Sequence, residues 1–509
     1  MKPLSGLDSA FLYLESPEVP MHVGSLNLVE VPARQRARWV ERAREHIGKR
    51  LHLSPVFTRR LASLPWDIAS PVWVEDRAVD LAWHVQRVKL PKPGTLAQLE
   101  KLVARLHAEP LDRTRPLWRF YLIEGLASGD LAWYSKVHHA TLDGAAGVQL
   151  AHALLDATPT PRRVPKPPPR KLDETPGTTE LLGAALRKSA KEVGKLVDAL
   201  PEVARLFALL KGTHTFSAGE GDGHFRGKGK AAAARSSGAK VFVPFKAGEG
   251  VRPLQVRPLQ VPMGPATPIN VAITAERRYA TVSIPLAEAK AIAKRHEAKL
   301  NDVVLALVSG ALRSYLAHHG AVPRKPLVAA VPVSIRAEGD TAYSTRATMV
   351  LANLATHLAD PLERLAAIRV SAGKAKAITG AAKSVIPTDF ISIGAPWLIA
   401  AASKAYGYTQ GLKAWTPLAN VVVSNIPGPQ EPLYFAGGRL RTYWPVSIVM
   451  HGVGLNVTVE SYCGSLDFGL VSAANAVPDL ERVAKGLREA HVELRSLSMG
   501  RRKRAAGRN

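Results

Sequence analysis

Hydrophobic spacing divides the chain into two folded stretches with a polar interval between them. Leu96, Leu99, Leu102, Val103 and Leu106 recur at helical intervals behind Thr95 and Gln98, a capping-box start, and Pro110 closes the helix they predict. Residues 131–137 (LAWYSKV) predict a strand ending just before His138 and His139. Asp143-Gly144 then turns the chain into a helix carrying Val148, Leu150, Leu154 and Leu155. Residues 1–155 thus predict one mixed α/β unit. A second is predicted over 265–498, with helices at 286–299 and 303–318 and strands at 327–333, 420–424, 447–450 and 454–459. The interval 156–264 reads differently. Pro161, Pro165, Pro167, Pro168 and Pro169 make a stiff, solvated stretch. Residues 178–210 follow as an amphipathic helical pattern interrupted by Pro201, and 217–250 are rich in Gly, Ala and Lys. Residues 251–260 duplicate VRPLQ, too short a repeat for a solenoid. Residues 499–509 predict a basic tail.

Composition narrows the possibilities. At 509 residues and 46% hydrophobic, with 22% charged, the chain can bury a large core, which excludes wholesale disorder. A single cysteine, Cys463, excludes a disulfide framework and a cysteine-rich zinc site, and fits a reducing compartment. A net charge of +26 favours polyanionic partners: nucleic acid, anionic lipid or phosphate-bearing substrates. Between 156 and 257, however, 19 Lys and Arg stand against 10 Asp and Glu, so about a third of the surplus lies in the linker and says little about a site. No zinc-finger, RNP or P-loop pattern supports nucleic acid, and none is expected as a partner. The first eight residues contain no apolar signal region. The longest uncharged stretches are 390–403, too short to span a bilayer, and 442–459, broken by Pro445, Gly452 and Gly454. A spanning helix is not expected, whereas attachment to a membrane surface is left open.

The chemistry concentrates in His138-His139-Ala-Thr-Leu-Asp143-Gly144. A histidine held at a strand end suits a positioned base, because its ordinary pKa of about 6.5 makes it the natural proton acceptor near neutrality. An HxxxD string alone is common, and Asp143 reads equally well as a helix N-cap. No HExxH-type spacing or third ligand cluster accompanies it, so no metal is expected. His22 and His451 read as lone packing histidines, and Cys463 as a small buried apolar residue.

Further segments occur in a fixed order around this motif. They are residues 4–12 (LSGLDSAFL), 21–24 (MHVG), Pro116-Leu117-Trp118, 301–306 (NDVVLA), 331–336 (VPVSIR), 424–429 (SNIPGP), and Leu455-Asn456 through Ser461-Tyr462. Together they resemble the bacterial wax ester synthase/acyl-CoA:diacylglycerol acyltransferase family, within the HHxxxDG class of CoA-dependent acyltransferases. The resemblance spans both α/β units and leaves 161–262 unmatched. It implies an α/β fold of two chloramphenicol-acetyltransferase-like sandwich domains with the active site at their interface.

The resemblance also implies roles. His139 would be the general base, taking the proton of an alcohol whose oxygen attacks the acyl-CoA thioester, with no serine or cysteine nucleophile. His138, Asp143 and Gly144 belong to the same catalytic motif, Asp143 orienting the loop by a salt bridge for which Arg336 is the candidate partner. Asn301 is either a helper of the oxyanion or a helix N-cap, with Asp302 beside it as support. Pro116, Leu117 and Trp118 would pack behind the site or line the acyl tunnel as substrate-binding residues. No cofactor is expected beyond acyl-CoA as substrate. The expected partners are acyl-CoA, diacylglycerol or a long-chain alcohol, and a membrane or lipid-droplet surface. The expected location is cytoplasmic, peripheral to the inner membrane or to lipid inclusions. The competing readings are the same fold acting on another hydroxyl, such as that of a polyketide or trehalose, and a non-catalytic basic lipid-surface protein. For surface attachment the candidate is the 178–210 helix, where Leu181, Leu182, Leu186, Val193, Leu196, Val197 and Leu200 stand beside Arg187, Lys188, Lys191 and Lys195. An ordinary core-docking helix would show the same stripe.

Overall fold

The computed structural model describes residues 2–3, 11–62, 71–76, 78–142, 146–167, 263–334, 347–382 and 417–505. The predicted 178–210 helix therefore lies outside the described residues, as do Asp143, Gly144 and Arg336. Two large sheets organise the rest, giving the expected pair of mixed α/β halves, and all the described residues belong to one compact unit.

The first sheet runs in the order Val85–Lys89, Trp118–Glu124, Leu131–His138, His22–Glu30, Gly438–Leu440, Tyr434–Phe435 and Leu155–Asp156. All eight residues of Leu131–His138 are buried, because helices cover both faces of that central strand. On one face Ala132 and Tyr134 share a core with Leu99, Val103 and Ala104 of helix Leu96–Ala108. That helix opens on the capping box predicted for it, with Gln98 N–H donating to Thr95 Oγ1 at 3.2 Å and Thr95 N–H to Gln98 Oε1 at 2.8 Å. On the other face Leu131, Trp133 and Val137 meet Trp39, Val40, Ala43 and Ile47 of helix Trp39–Gly48. Strand His22–Glu30 lies against Leu131–His138 so closely at Gly24 that a Cβ there would sit 1.7 Å from Ser135 O.

The second sheet has the order Ala347–Asn353, Val328–Ser334, Val421–Pro427, Leu455–Tyr462, Ser465–Ala473 and Arg277–Pro285. Helices Leu286–Arg295, Leu300–His318, Pro361–Ala382 and Leu480–Ala505 share its core. Leu300–His318 has the length and hydropathy of a membrane span, but 67% of that window is buried inside the protein, so it serves as a core helix. The helix predicted over 286–299 stops at Arg295, because Glu297 takes a left-handed φ of 51°. The last helix carries the basic 501–504 run up to Ala505.

One strand expectation is corrected. Residues 447–450 do not form a strand of the second sheet; the strand is Trp444–Val446, and it pairs with Gly24–Leu26 in the first. Side chains claim the carbonyls that a ladder would have used. Asn456 Nδ2 donates to Ile448 O at 3.0 Å, and His107 Nε2 bonds Ser447 O at 3.0 Å. Met450 makes only an isolated bridge to Val453. Residues 434–446 thus cross from the second half to complete the first sheet. The crossing strand runs so close to the second sheet that a Cβ on Gly469 would lie 1.7 Å from Pro445 O.

Strands Leu455–Tyr462 and Ser465–Ala473 are joined by a two-residue turn in which Cys463 has φ 43° and Gly464 φ 80°. Positive φ at both central positions is the type I′ geometry that Asn-Gly fits best. Cys463→Asn should therefore stabilise the protein by about 0.5–1 kcal/mol. A rise in the urea midpoint at unchanged slope would show it, and a fall would mean that the Cys463 side chain contributes packing that outweighs the strain.

Candidate active site

The two histidines of the motif have different surroundings. His138 ends its strand fully buried. Its Nδ1 accepts the Ala140 N–H at 3.1 Å, capping the short 3₁₀ turn His139–Thr141, and this places its proton on Nε2. Nε2 faces Glu15 Oε1 at 3.2 Å. The turn is tied down by its backbone: His138 N–H donates to Leu117 O, His139 N–H to Met21 O at 2.8 Å, and Thr141 Oγ1 to His138 O at 2.8 Å. His138 is therefore held by a hydrogen bond at Nδ1, and its Nε2 meets the Glu15 carboxylate as a charge contact outside hydrogen-bond geometry.

His139 is freer. Its ring stacks on Phe11 with centroids 4.0 Å apart and an interplanar angle of 22°. Its Nδ1 is buried without a hydrogen-bond partner among the described residues, while the residue as a whole is only half-buried. Nδ1 is therefore the enclosed nitrogen of the ring. Burial pushes the pKa of His139 down to about 4; its own backbone carbonyl opposes the shift and the neighbouring His138 adds to it. The ring is consequently neutral at pH 7, the state in which it can accept a proton.

Glu15, Arg113 and Lys136 were not singled out from the sequence; with Phe11, which lies in the 4–12 segment, they frame this pair. Glu15 Oε1 also accepts the Met21 N–H at 3.0 Å, and Oε2 accepts from Arg113 Nη2 at 2.8 Å and Nε at 3.1 Å. Burial alone would raise its carboxyl pKa, but His138, the Met21 N–H and Arg113 outweigh it and hold the group down at about 2. Arg113 further donates to Leu12 O at 2.7 Å, bracing the short helix that carries Phe11. Lys136, also buried, donates to Leu106 O and Glu109 O at 2.7 and 2.6 Å, fixing the C-terminal end of helix Leu96–Ala108 to the histidine strand. A lysine inside an otherwise apolar strand was the visible signal for this contact. Glu15 carried no comparable signal, since it lies 123 positions before His138.

Glu15→Ala should lower both stability and turnover. It strands the Met21 N–H and removes the carboxylate facing His138 Nε2, and a buried donor left unpaired costs about 1–3 kcal/mol. Glu15→Gln, which can keep one acceptor in place, should be milder. Thermal unfolding measured beside kcat checks the pair of variants; an Glu15→Ala protein unchanged in both would show that the contact does not hold the turn.

The remaining expected residues fall as follows. Leu117 packs with Leu12, Leu61, Trp73, Leu111 and Ala140, directly behind the histidine turn. Trp118 is fully buried, donates its Nε1–H to Phe57 O at 3.1 Å and stacks on His84 with centroids 4.2 Å apart. Pro116 is also buried, so all three residues lie inside the protein beside the histidine turn, where packing behind the site and lining an acyl tunnel both place them. Asn301 occupies the second position of helix Leu300–His318 rather than its cap. Asp302 makes the cap contact, its carboxylate accepting the Lys299 N–H at 2.9 Å. Among the described residues neither Asn301 nor Asp302 bonds to a histidine of the motif. His22 and His451 are packing histidines: His22 Nε2 bonds His107 O, and His451 Nδ1 accepts the Ile273 N–H at 3.1 Å.

The chain is similar to known proteins over nearly its whole length. Residues 4–220 and 226–304 match the model of the wax ester synthase/diacylglycerol acyltransferase catalytic domain, and residues 344–495 match that of the corresponding C-terminal domain. A Mycobacterium tuberculosis protein named as a diacylglycerol O-acyltransferase is 35% identical over 499 residues, covering 96% of this chain and 99% of its own. The O-acyltransferase WSD of Acinetobacter baylyi is 32% identical over 496 residues, covering 96% of each chain. The solved wax ester synthase/diacylglycerol acyltransferase from Marinobacter aquaeolei VT8 superposes with a TM-score of 0.66 at 28% identity, over 98% of this chain and 100% of that one. The chain belongs to the wax ester synthase/diacylglycerol acyltransferase family.

Proposed function

We propose that this acyltransferase moves a fatty acyl group from acyl-CoA to diacylglycerol or a long-chain alcohol, with His139 as the general base. The observation that carries the reading is the contrast at the motif: His138 is fully buried, capping the turn through Nδ1 and set against Glu15 at Nε2, whereas His139 is neutral, braced by Phe11 and only half-buried. His139 Nε2 takes the hydroxyl proton as the alcohol oxygen attacks the thioester carbonyl. The tetrahedral intermediate then collapses, the C–S bond breaks, and the CoA thiolate recovers the proton. The products are an ester and CoA thiol, and no acyl-enzyme forms. In this reading Asp143, with Arg336 as its partner, orients the loop, and Asn301 donates to the oxyanion. The test is thiol release from acyl-CoA, measured across long-chain alcohols, monoacylglycerol and diacylglycerol. Release with none of them would end this reading; release only with another hydroxyl would keep the chemistry and change the acceptor.

Such acceptors reside in lipid, so the reading extends to a peripheral protein on the cytoplasmic face of the inner membrane or on lipid inclusions. The 178–210 stripe with its lysines supports attachment, each basic residue near anionic lipid adding roughly 1 kcal/mol. The intact chain should co-sediment with anionic liposomes at low salt, and a chain with Lys188, Lys191 and Lys195 changed to Glu should bind more weakly. An intact chain left in the supernatant would exclude attachment, and equal binding of both would exclude this helix as its cause.

A further inference from the structure

We propose that a groove formed by helices Leu300–His318, Pro361–Ala382 and Leu480–Ala505 binds a small zwitterion carrying a phosphate and an ammonium group, of the phosphoethanolamine class. The groove has a volume of about 250 Å³, enough for a molecule of that size. Arg364 lies at its floor, only 4% exposed. Nη1 of Arg364 donates to Leu358 O at 3.1 Å and Ala359 O at 3.0 Å, while Nε is buried with no partner. Nε is sealed inside the protein, so Nη2, beside Gly310, is the nitrogen nearest the groove; with no carboxylate within ion-pair distance among the described residues, the guanidinium lacks the counter-charge that burial ordinarily demands. Burial accordingly depresses its pKa, although Glu493 pulls the other way. Gly310 lets helix Leu480–Ala505 approach closely at the base of the groove: a Cβ there would lie 2.8 Å from Ala490 Cβ and 3.3 Å from Arg364 Nη2.

The walls carry opposite charges. Arg313, held by the Thr356 carbonyl at 2.8 Å, stands on the same side as Arg364. Glu489 and Glu493, both exposed, line the side formed by Leu480–Ala505. Glu489 has Lys485 of its own helix at 3.5 Å; Glu493 has no ion pair among the described residues. Two cations and two anions thus face one another without bridging. A ligand bearing both charges satisfies both walls, whereas a simple anion would meet the glutamates. Paired guanidinium forks select phosphate for the anionic end. The proposal is independent of the acyl-transfer reading, since none of these residues belongs to the histidine site.

The test is calorimetric titration of the full chain with O-phosphoethanolamine, inorganic phosphate and ethanolamine. O-phosphoethanolamine should give a saturable isotherm and the two fragments much weaker ones. Arg364→Met risks the fold, so the working variants are Arg313→Gln and Glu493→Gln; each should weaken binding roughly tenfold, with the melting temperature of the free protein and basal acyl transfer unchanged. Absence of binding, or binding untouched by both variants, overturns the proposal. Inorganic phosphate binding as tightly as O-phosphoethanolamine overturns the zwitterion. Vesicles of phosphatidylethanolamine, compared with phosphatidylcholine, separate the two sources. Retention lost in Glu493→Gln assigns a lipid headgroup, and O-phosphoethanolamine binding without retention assigns the soluble ester.

Discussion

His139→Ala should fold normally and lose transfer by roughly 10²–10⁴-fold, the range expected for removal of a positioned general base. Its ring touches Phe11 by stacking and Nδ1 makes no hydrogen bond among the described residues, so the melting temperature should move little. His138→Ala should show the opposite balance. It removes the acceptor for the Ala140 N–H and the partner of Glu15, and leaves a cavity where the side chain is fully buried. Stability should fall markedly, while the molecules that remain folded keep measurable turnover. Since burial keeps His139 unprotonated down to about pH 4, kcat/KM of the wild-type enzyme should stay level between pH 7.5 and 5.5 wherever the fold survives. A limb centred near 6.5 would instead describe a solvated imidazole. Equal loss of activity in both alanine variants, with both folded, would leave the assignment to His139 unsupported.

The contrast between the two histidines shows where sequence reasoning reaches its limit. Local signals were sufficient for local structure: the Thr95–Gln98 box, the strand ending at the histidines and the apolar helix before His318 all appear where spacing placed them. Contacts between distant parts were not legible. Nothing in the 434–446 stretch marks it for the first sheet rather than the second, because strand alternation is the same in either. Glu15 meets His138 only because strands His22–Glu30 and Leu131–His138 pair in a register that sets His22 opposite His138. The apolar character of Pro116-Leu117-Trp118 fits a tunnel as well as a core, and burial is common to both. Asn301 illustrates a one-residue shift: a polar residue opening a helix was legible, but the capping contact belongs to Asp302.

Acid should unfold this protein early, and the buried histidines supply the reason. Burial depresses the pKa of His46 and His84 to about 4, of His107 to about 3 and of His139 to about 4, against about 6.5 in the unfolded chain. Three of them tie elements together as neutral rings: His46 Nε2 bonds Leu154 O at 2.7 Å, His84 Nδ1 bonds Trp118 O at 2.8 Å, and His107 bonds both Tyr134 Oη and Ser447 O. Because the folded values are depressed, the unfolded state binds more protons at any pH between about 4 and 6.5. Stability is therefore full above 6.5 and declines as pH falls below it. Glu15 has no part in that window: with a folded pKa of about 2, its contribution persists above about 4.5 and fades only below. Glu460 runs the other way. Burial and the adjacent Asp467 raise its pKa to about 8, so it is protonated in the fold, and its effect offsets one histidine between about 4.5 and 8. From these five groups, the four histidines less Glu460, three net protons remain, and at 1.36 kcal/mol per unit each the slope approaches about 4 kcal/mol per pH unit where the unfolded imidazoles are protonated. Glu100 and Asp467, raised by burial, oppose it. The urea midpoint should accordingly drop steeply between pH 6.5 and 5, with proton uptake on unfolding measurable by titration in weakly buffered solution. A midpoint flat across that range would mean that these imidazoles reach water in the folded protein.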